Sequence, residues 1–129
     1  MTDFSNYAEG HVYDWATGRA SAPATTTRYL ALFTAVTSAE AGTGTEVAVT
    51  GYARQAVTFG AHTDGVGANT GVVDFGPLDS TGTATHAALF DASSGGNAIT
   101  AIKALAASRT WASGDIIRFA VGEIDFTVQ

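Results

Sequence analysis

The residues able to do chemistry in this chain are three histidines, a scatter of loop carboxylates and a few serines. His11, His62 and His86 stand far apart, and no pair shows the HxH or i, i+4 spacing that would set two imidazoles on one metal ion. Each reads as a packed or solvated histidine. His86 precedes Asp91, with Ser80, Ser93 and Ser94 nearby, which are the residue types of a nucleophilic triad. The GxSxG elbow that exposes such a serine is missing. Asp64, Asp74, Asp79 and Asp91 fall in or beside loops where carboxylates can gather Ca²⁺, yet their spacing matches no calcium loop, so they read as turn formers. The glycine stretches GVGANTG (65–71) and DASSGGN (91–97) lack the lysine and the strand–loop–helix setting of a phosphate loop. With no cysteine, disulfide, thiol and cysteine–zinc chemistry are excluded. The sequence thus assigns no catalytic residue, no metal ligand and no cofactor.

Charge narrows the partners. Charged residues make up 14% of the chain and the formal net charge is −6. Six Lys and Arg scattered along 129 residues make no basic stripe, so a nucleic-acid partner is not expected. No apolar run approaches the roughly 20 residues that span a bilayer, and no charged segment precedes an apolar run as in a signal peptide. A membrane partner is not expected, and no signal peptide is read. Low charge on a small surface points to self-association or to other protein partners.

These residues are carried by two kinds of element. Phe4, Tyr7, Ala8, His11, Val12 and Trp15 recur at helical spacing, with Thr2 or Asp3 placed to cap and Gly18 placed to terminate. Residues 19–28 (RASAPATTTR) read as an extended linker. Beyond it the period changes to two. Strands are expected at Tyr29 to Thr34, Tyr52 to Phe59, Val72 to Phe75, Thr85 to Phe90, Ala98 to Ala106, Asp115 to Val121 and Glu123 to Gln129. Residues 35–50 and 60–71 are expected as loop and turn, and Gly122 as a bulge or kink. The stretch from Ala98 also fits a helix, because Ile99, Ile102 and Leu105 are spaced for one; its β-branched residues and the GGN before it favour a strand. The fold class expected is all-β: a single β-sandwich or jelly-roll-like domain over 29–129, preceded by a helix and linker arm over 1–28.

Within that scheme Arg54 and Arg118 sit in apolar strands, where an arginine needs a partner. Structural ion pairs with Asp74, Asp91, Asp115 or Glu123 are expected. Trp111 suits a core or an interface better than a sugar site, while Trp15 suits an intersubunit contact or packing on its own chain.

The order of several strings resembles a family of small phage virion structural proteins. They are Tyr29-Leu30-Ala31-Leu32-Phe33-Thr34, the AGTGTEV run at 41–47, and Gly51-Tyr52-Ala53-Arg54-Gln55 before Val57-Thr58-Phe59. Thr85-His86, Leu89-Phe90-Asp91-Ala92, Gly95-Gly96-Asn97, Ser113-Gly114-Asp115, Arg118-Phe119-Ala120 and Gly122 follow in the same order. Where relatives carry a glycine-rich run before Ala-Arg-Gln, this chain has Ala48-Val49-Thr50-Gly51-Tyr52. Members are often labelled tail-fibre proteins, and some look like capsid decoration or cement proteins. The resemblance implies a virion protein assembled in the host cytoplasm, with the major capsid protein or other virion proteins as partners. It also implies self-association, as a trimer. A decoration or cement role suits one compact domain with a reaching arm; tail or fibre attachment is the alternative, and a hydrolytic enzyme the distant one. Phe4, Tyr7, His11, Val12, Trp15, Arg19 and Arg28 are then the expected interface.

Overall fold

The computed structural model describes residues 3–128. The chain opens with helix α1 (Asn6–Ala16) and then forms β1 (Arg28–Ser38), β2 (Thr43–Glu46), β3 (Gln55–Val57), β4 (Val66–Ala68) and β5 (Val73–Phe75). After these come β6 (Gly82–Phe90), β7 (Lys103–Trp111), β8 (Ile117–Phe119) and β9 (Asp125–Thr127). Every strand pair is antiparallel. The main sheet runs β2-β1-β6-β7, with β3 also paired to β1, and two ribbons, β4-β9 and β5-β8, lie outside it. The architecture is all-β and sandwich-like with one short N-terminal helix.

The run Leu30-Ala31-Leu32-Phe33 explains this arrangement. Successive side chains of a strand point to opposite faces, so four consecutive buried apolar residues need cover on both sides. Leu30 and Leu32 join a cluster with Val73, Phe75, Leu78, Ile117 and Phe119, supplied largely by the β5-β8 ribbon. Ala31 and Phe33 join a second cluster with Ala88, Phe90, Ala98 and Ile102. Phe75 and Leu32 are fully enclosed, and burying one such side chain is worth about 1.5–3 kcal/mol. Buried Asn69 is satisfied: it donates to Gly71 O and Ala120 O and accepts from Ile124 N, pinning the turn into β9.

Several expectations change. β1 runs four residues past Thr34, and 35–50 holds β2 as well, because these residues pair with each other across the short turn at 39–42. The strand at 52–59 shrinks to 55–57, since Tyr52 and Arg54 are drawn into side-chain bonds instead of a ladder. The turn region 60–71 contains β4. The strand expected from Ala98 starts at Lys103, and residues 98–102 cross the second cluster as irregular backbone; no helix forms there. Between Ala104 and Arg109 β7 bulges away from β6. Gly122 lies in a turn at φ 81°, not in a bulge. The helix is capped by Ser5, whose hydroxyl accepts from Ala8 N at 3.2 Å. Asp3 is engaged elsewhere, accepting from Thr127 N at 2.9 Å and pairing with Lys103 at 2.6 Å. Thr2 and Gln129 lie outside the described residues.

Trp111 sits in the core, 3% exposed, with its indole laid over Gly82 of the paired strand. Its Nε1 has no hydrogen-bond partner among the described residues, so the ring contributes area rather than a polar bond. A Cβ at Gly82 would stand 2.4 Å from the indole Cζ2. Gly82→Ala is therefore expected to lower stability by about 1–3 kcal/mol through overpacking, read as an earlier midpoint in urea. An unchanged midpoint would mean that the indole is free to shift.

Candidate functional site

Chemistry-bearing side chains of this protein are engaged in holding loops. Asp91 accepts from Asn97 N at 2.7 Å and closes the 91–97 loop. Asp79 accepts from Ser80 N at 2.8 Å and from the Ser113 hydroxyl at 3.4 Å. Asp115 accepts from Ala112 N at 2.8 Å. His62 Nδ1 accepts from Gly65 N at 3.2 Å, and His86 Nδ1 shares a bond with the Thr85 hydroxyl at 2.8 Å. His11 meets Tyr7 edge to face. Among the described residues no three His, Cys, Asp or Glu side chains come together as a metal site would require.

The densest polar cluster surrounds Arg54. Its guanidinium takes both oxygens of Glu46, at 2.9 and 3.0 Å. It also donates to Ala92 O at 3.0 Å and Gly95 O at 2.7 Å, and it lies 3.9 Å above the Phe90 ring. The partner is Glu46 rather than any of the four carboxylates expected, because Arg54 lies in the loop before β3 and faces the end of β2. Tyr52 completes the cluster: its hydroxyl donates to Glu46 at 2.6 Å and accepts from Leu32 N at 3.0 Å. β1 changes partner at this point, from β3 at residues 28–30 to β2 from Phe33 onward. The hydroxyl thus serves a backbone N–H lying between the two edge strands. Gly51 makes the close turn possible; it has φ 91°, and a Cβ there would lie 2.0 Å from Pro77 O.

Arg118 pairs with Asp74 across β5 and β8, with bonds of 2.7 and 2.9 Å. That pair is exposed, so the desolvation that would have made a partner necessary does not apply. Hydrogen bonding to Arg118 holds the Asp74 carboxyl below the usual carboxylate range. Arg109, not singled out from the sequence, packs 4.5 Å over Phe119, donates to Arg118 O and pairs with Glu123.

The arm is the part whose side chains are least used internally. Phe4 turns inward onto Phe126, 5.4 Å between ring centres, and Ser5 bonds Ala98 O from a buried position. On α1 only Ala8 is buried. Tyr7 and Val12 are substantially exposed, and Trp15 is 60% exposed. Arg19 pairs with Asp14 at 3.0 Å on the surface. Residues 21–27 form no helix or strand and run exposed from the helix back to β1. Between helix and strap lies a cavity of about 380 Å³ lined by Tyr7, His11, Val12 and Pro23. A more apolar cavity of about 480 Å³ adjoins it and is lined by Phe59, Leu89, Phe126 and Val128; Arg28 and Ile99 border both. The helix stripe was legible in the sequence. The second cavity was not, since its walls come from five distant segments.

A family model described as Podophage GP4 fiber I protein gp80 matches residues 3–127. No curated protein matches the sequence.

Two measurements test the Arg54 cluster. Arg54→Ala strips Glu46 of its cation and two carbonyls of their donor, and is expected to cost about 3 kcal/mol in denaturant unfolding. A loss under about 1 kcal/mol would show the cluster to be incidental. Burial pushes the Tyr52 hydroxyl well above its ordinary value of 10.0, and donation to Glu46 adds to the shift. A raised folded-state pKa gives stability that is complete below the unfolded value and lost above it. The protein should therefore lose stability as pH rises past the ordinary tyrosine value of about 10. Tyr52→Phe, which leaves Leu32 N unpaired at a cost of about 1–3 kcal/mol at neutral pH, should flatten that alkaline slope.

Proposed function

This chain belongs to the podophage GP4 fiber I protein family, and from that premise we propose that it is a building block of a phage fibre, joined to neighbouring virion subunits through its N-terminal arm. Its role is that of a structural protein of a phage particle. The observation that carries the finer reading is the state of α1. A helix of eleven residues does not hold its shape alone in water, yet this one lends the body only Ala8 and leaves Val12 and Trp15 in solvent. An amphipathic stripe half covered by its own body suits one that finishes its burial against another protein.

The β body supports the same reading. Its loops are closed by their own carboxylates and arginines, which suits a part that must keep its shape in many copies. Placement on the capsid as a decoration protein is the competing location, favoured by a compact body with a reaching arm. Both locations are exterior, where an acidic chain avoids the packaged phosphates.

Copy number decides between them. Quantitative mass spectrometry of purified particles against the major capsid protein is expected to give a small number of copies per particle, as a tail-attached fibre requires. Hundreds of copies would move the protein to the capsid surface, and none would overturn the structural role itself.

A further inference from the structure

Arg28 stands apart from the other cations. Arg19, Arg54, Lys103, Arg109 and Arg118 each hold a carboxylate. Arg28 reaches only the hydroxyl and carbonyl of Thr26 two residues away, and among the described residues no carboxylate lies within ion-pair distance of it. It borders the apolar cavity of about 480 Å³, so a lone cation sits beside a greasy recess. The chain displays a matching object elsewhere. Helix α1 carries Glu9 and no Lys or Arg, its Asp14 is held by Arg19 just beyond the helix, and Trp15 projects from its last turn. An indole face attracts a guanidinium.

We propose that the cavity beside Arg28 receives Trp15 from helix α1 of a second copy of this chain. The indole fills the recess against Phe59, Phe126 and Val128, and Arg28 meets its ring. Trp15 belongs to the stripe of His11 and Val12, one turn beyond them, where its own body no longer reaches. Donor and recess are different patches of one surface, so the contact is head-to-tail: it closes into a ring or extends as a filament, according to the rotation between copies. This deepens the structural reading above by naming the first partner of the arm.

The test is the mass of the full-length purified chain by light scattering and sedimentation over a wide concentration range. Wild type is expected to associate, and Trp15→Ala and Arg28→Glu each to weaken association by roughly 30-fold or more, as a central anchor does. Trp15 is exposed, and Arg28 is half-buried at the rim of the recess with no ion pair among the described residues, so the variants should keep the wild-type circular dichroism and melting curve. Because the contact is head-to-tail, an equimolar mixture should form a one-to-one dimer: Trp15→Ala keeps an intact recess and Arg28→Glu keeps an intact Trp15. A monomeric wild type, variants that keep its mass, or a mixture that stays monomeric would overturn the proposal. So would a Trp15→Ala chain that self-associates normally but is lost from particles, since Trp15 would then contact a different virion protein. Absence of the chain from particles would sink the structural role and leave the mass measurement untouched.

Discussion

Everything on the β1 side of the body depends on how one strand changes neighbours. β1 is the strand to which β2, β3 and β6 all attach, and it passes from β3 to β2 within three residues. A backbone N–H at such a junction must find an acceptor, because leaving it dry costs about as much as a lost hydrogen bond. The Tyr52 hydroxyl supplies it to Leu32 and is held in place by Glu46, which Arg54 holds in turn. The same guanidinium reaches carbonyls of the 91–97 loop and covers Phe90. One chain of bonds therefore ties β1, β2, the loop before β3 and the loop after β6. Remove its central charge and four segments lose a common fixed point.

The sequence exposed this knot only in part. Gly51-Tyr52-Ala53-Arg54-Gln55 stood out as a string, and an arginine among apolar residues demanded a carboxylate. Its partner was hidden because Glu46 belonged to a stretch read as loop, in which Thr43–Glu46 is a strand whose alternation is blurred by small residues. Where alternation was clean or the apolar run continuous, as in β1 and β6, strands emerged close to where they were expected, while the strand expected at Glu123–Gln129 narrows to Asp125–Thr127. Where three-residue strands are stitched by side chains, as in β3 and β4, period alone gave too little signal. Residues 98–102 were ambiguous for a physical reason: Ala98 and Ile102 serve the second cluster from irregular backbone, and neither helix nor strand period describes them.

The arm divides between legible and hidden in the same manner. Helical spacing of Tyr7, Ala8, His11, Val12 and Trp15 is a local property and was readable. That Phe4 would turn into the body and Ser5 would cap the helix from a buried position depends on Phe126, Ala98 and Ile99, far along the chain. The apolar recess beside Arg28 is likewise a product of the fold.

The clasp between the two ends of the described chain has a mechanical meaning. Asp3 exchanges bonds with Thr127 through its own N–H and carboxylate, and Phe4 stacks edge-on against Phe126. Residues 3 and 127 therefore leave the body side by side. Tension applied across them is borne by that clasp and by the short β4-β9 ribbon, before it reaches Leu32, Phe75 or the Arg54 knot. Such a body yields first at its seam, lengthening by a few residues while its interior stays intact.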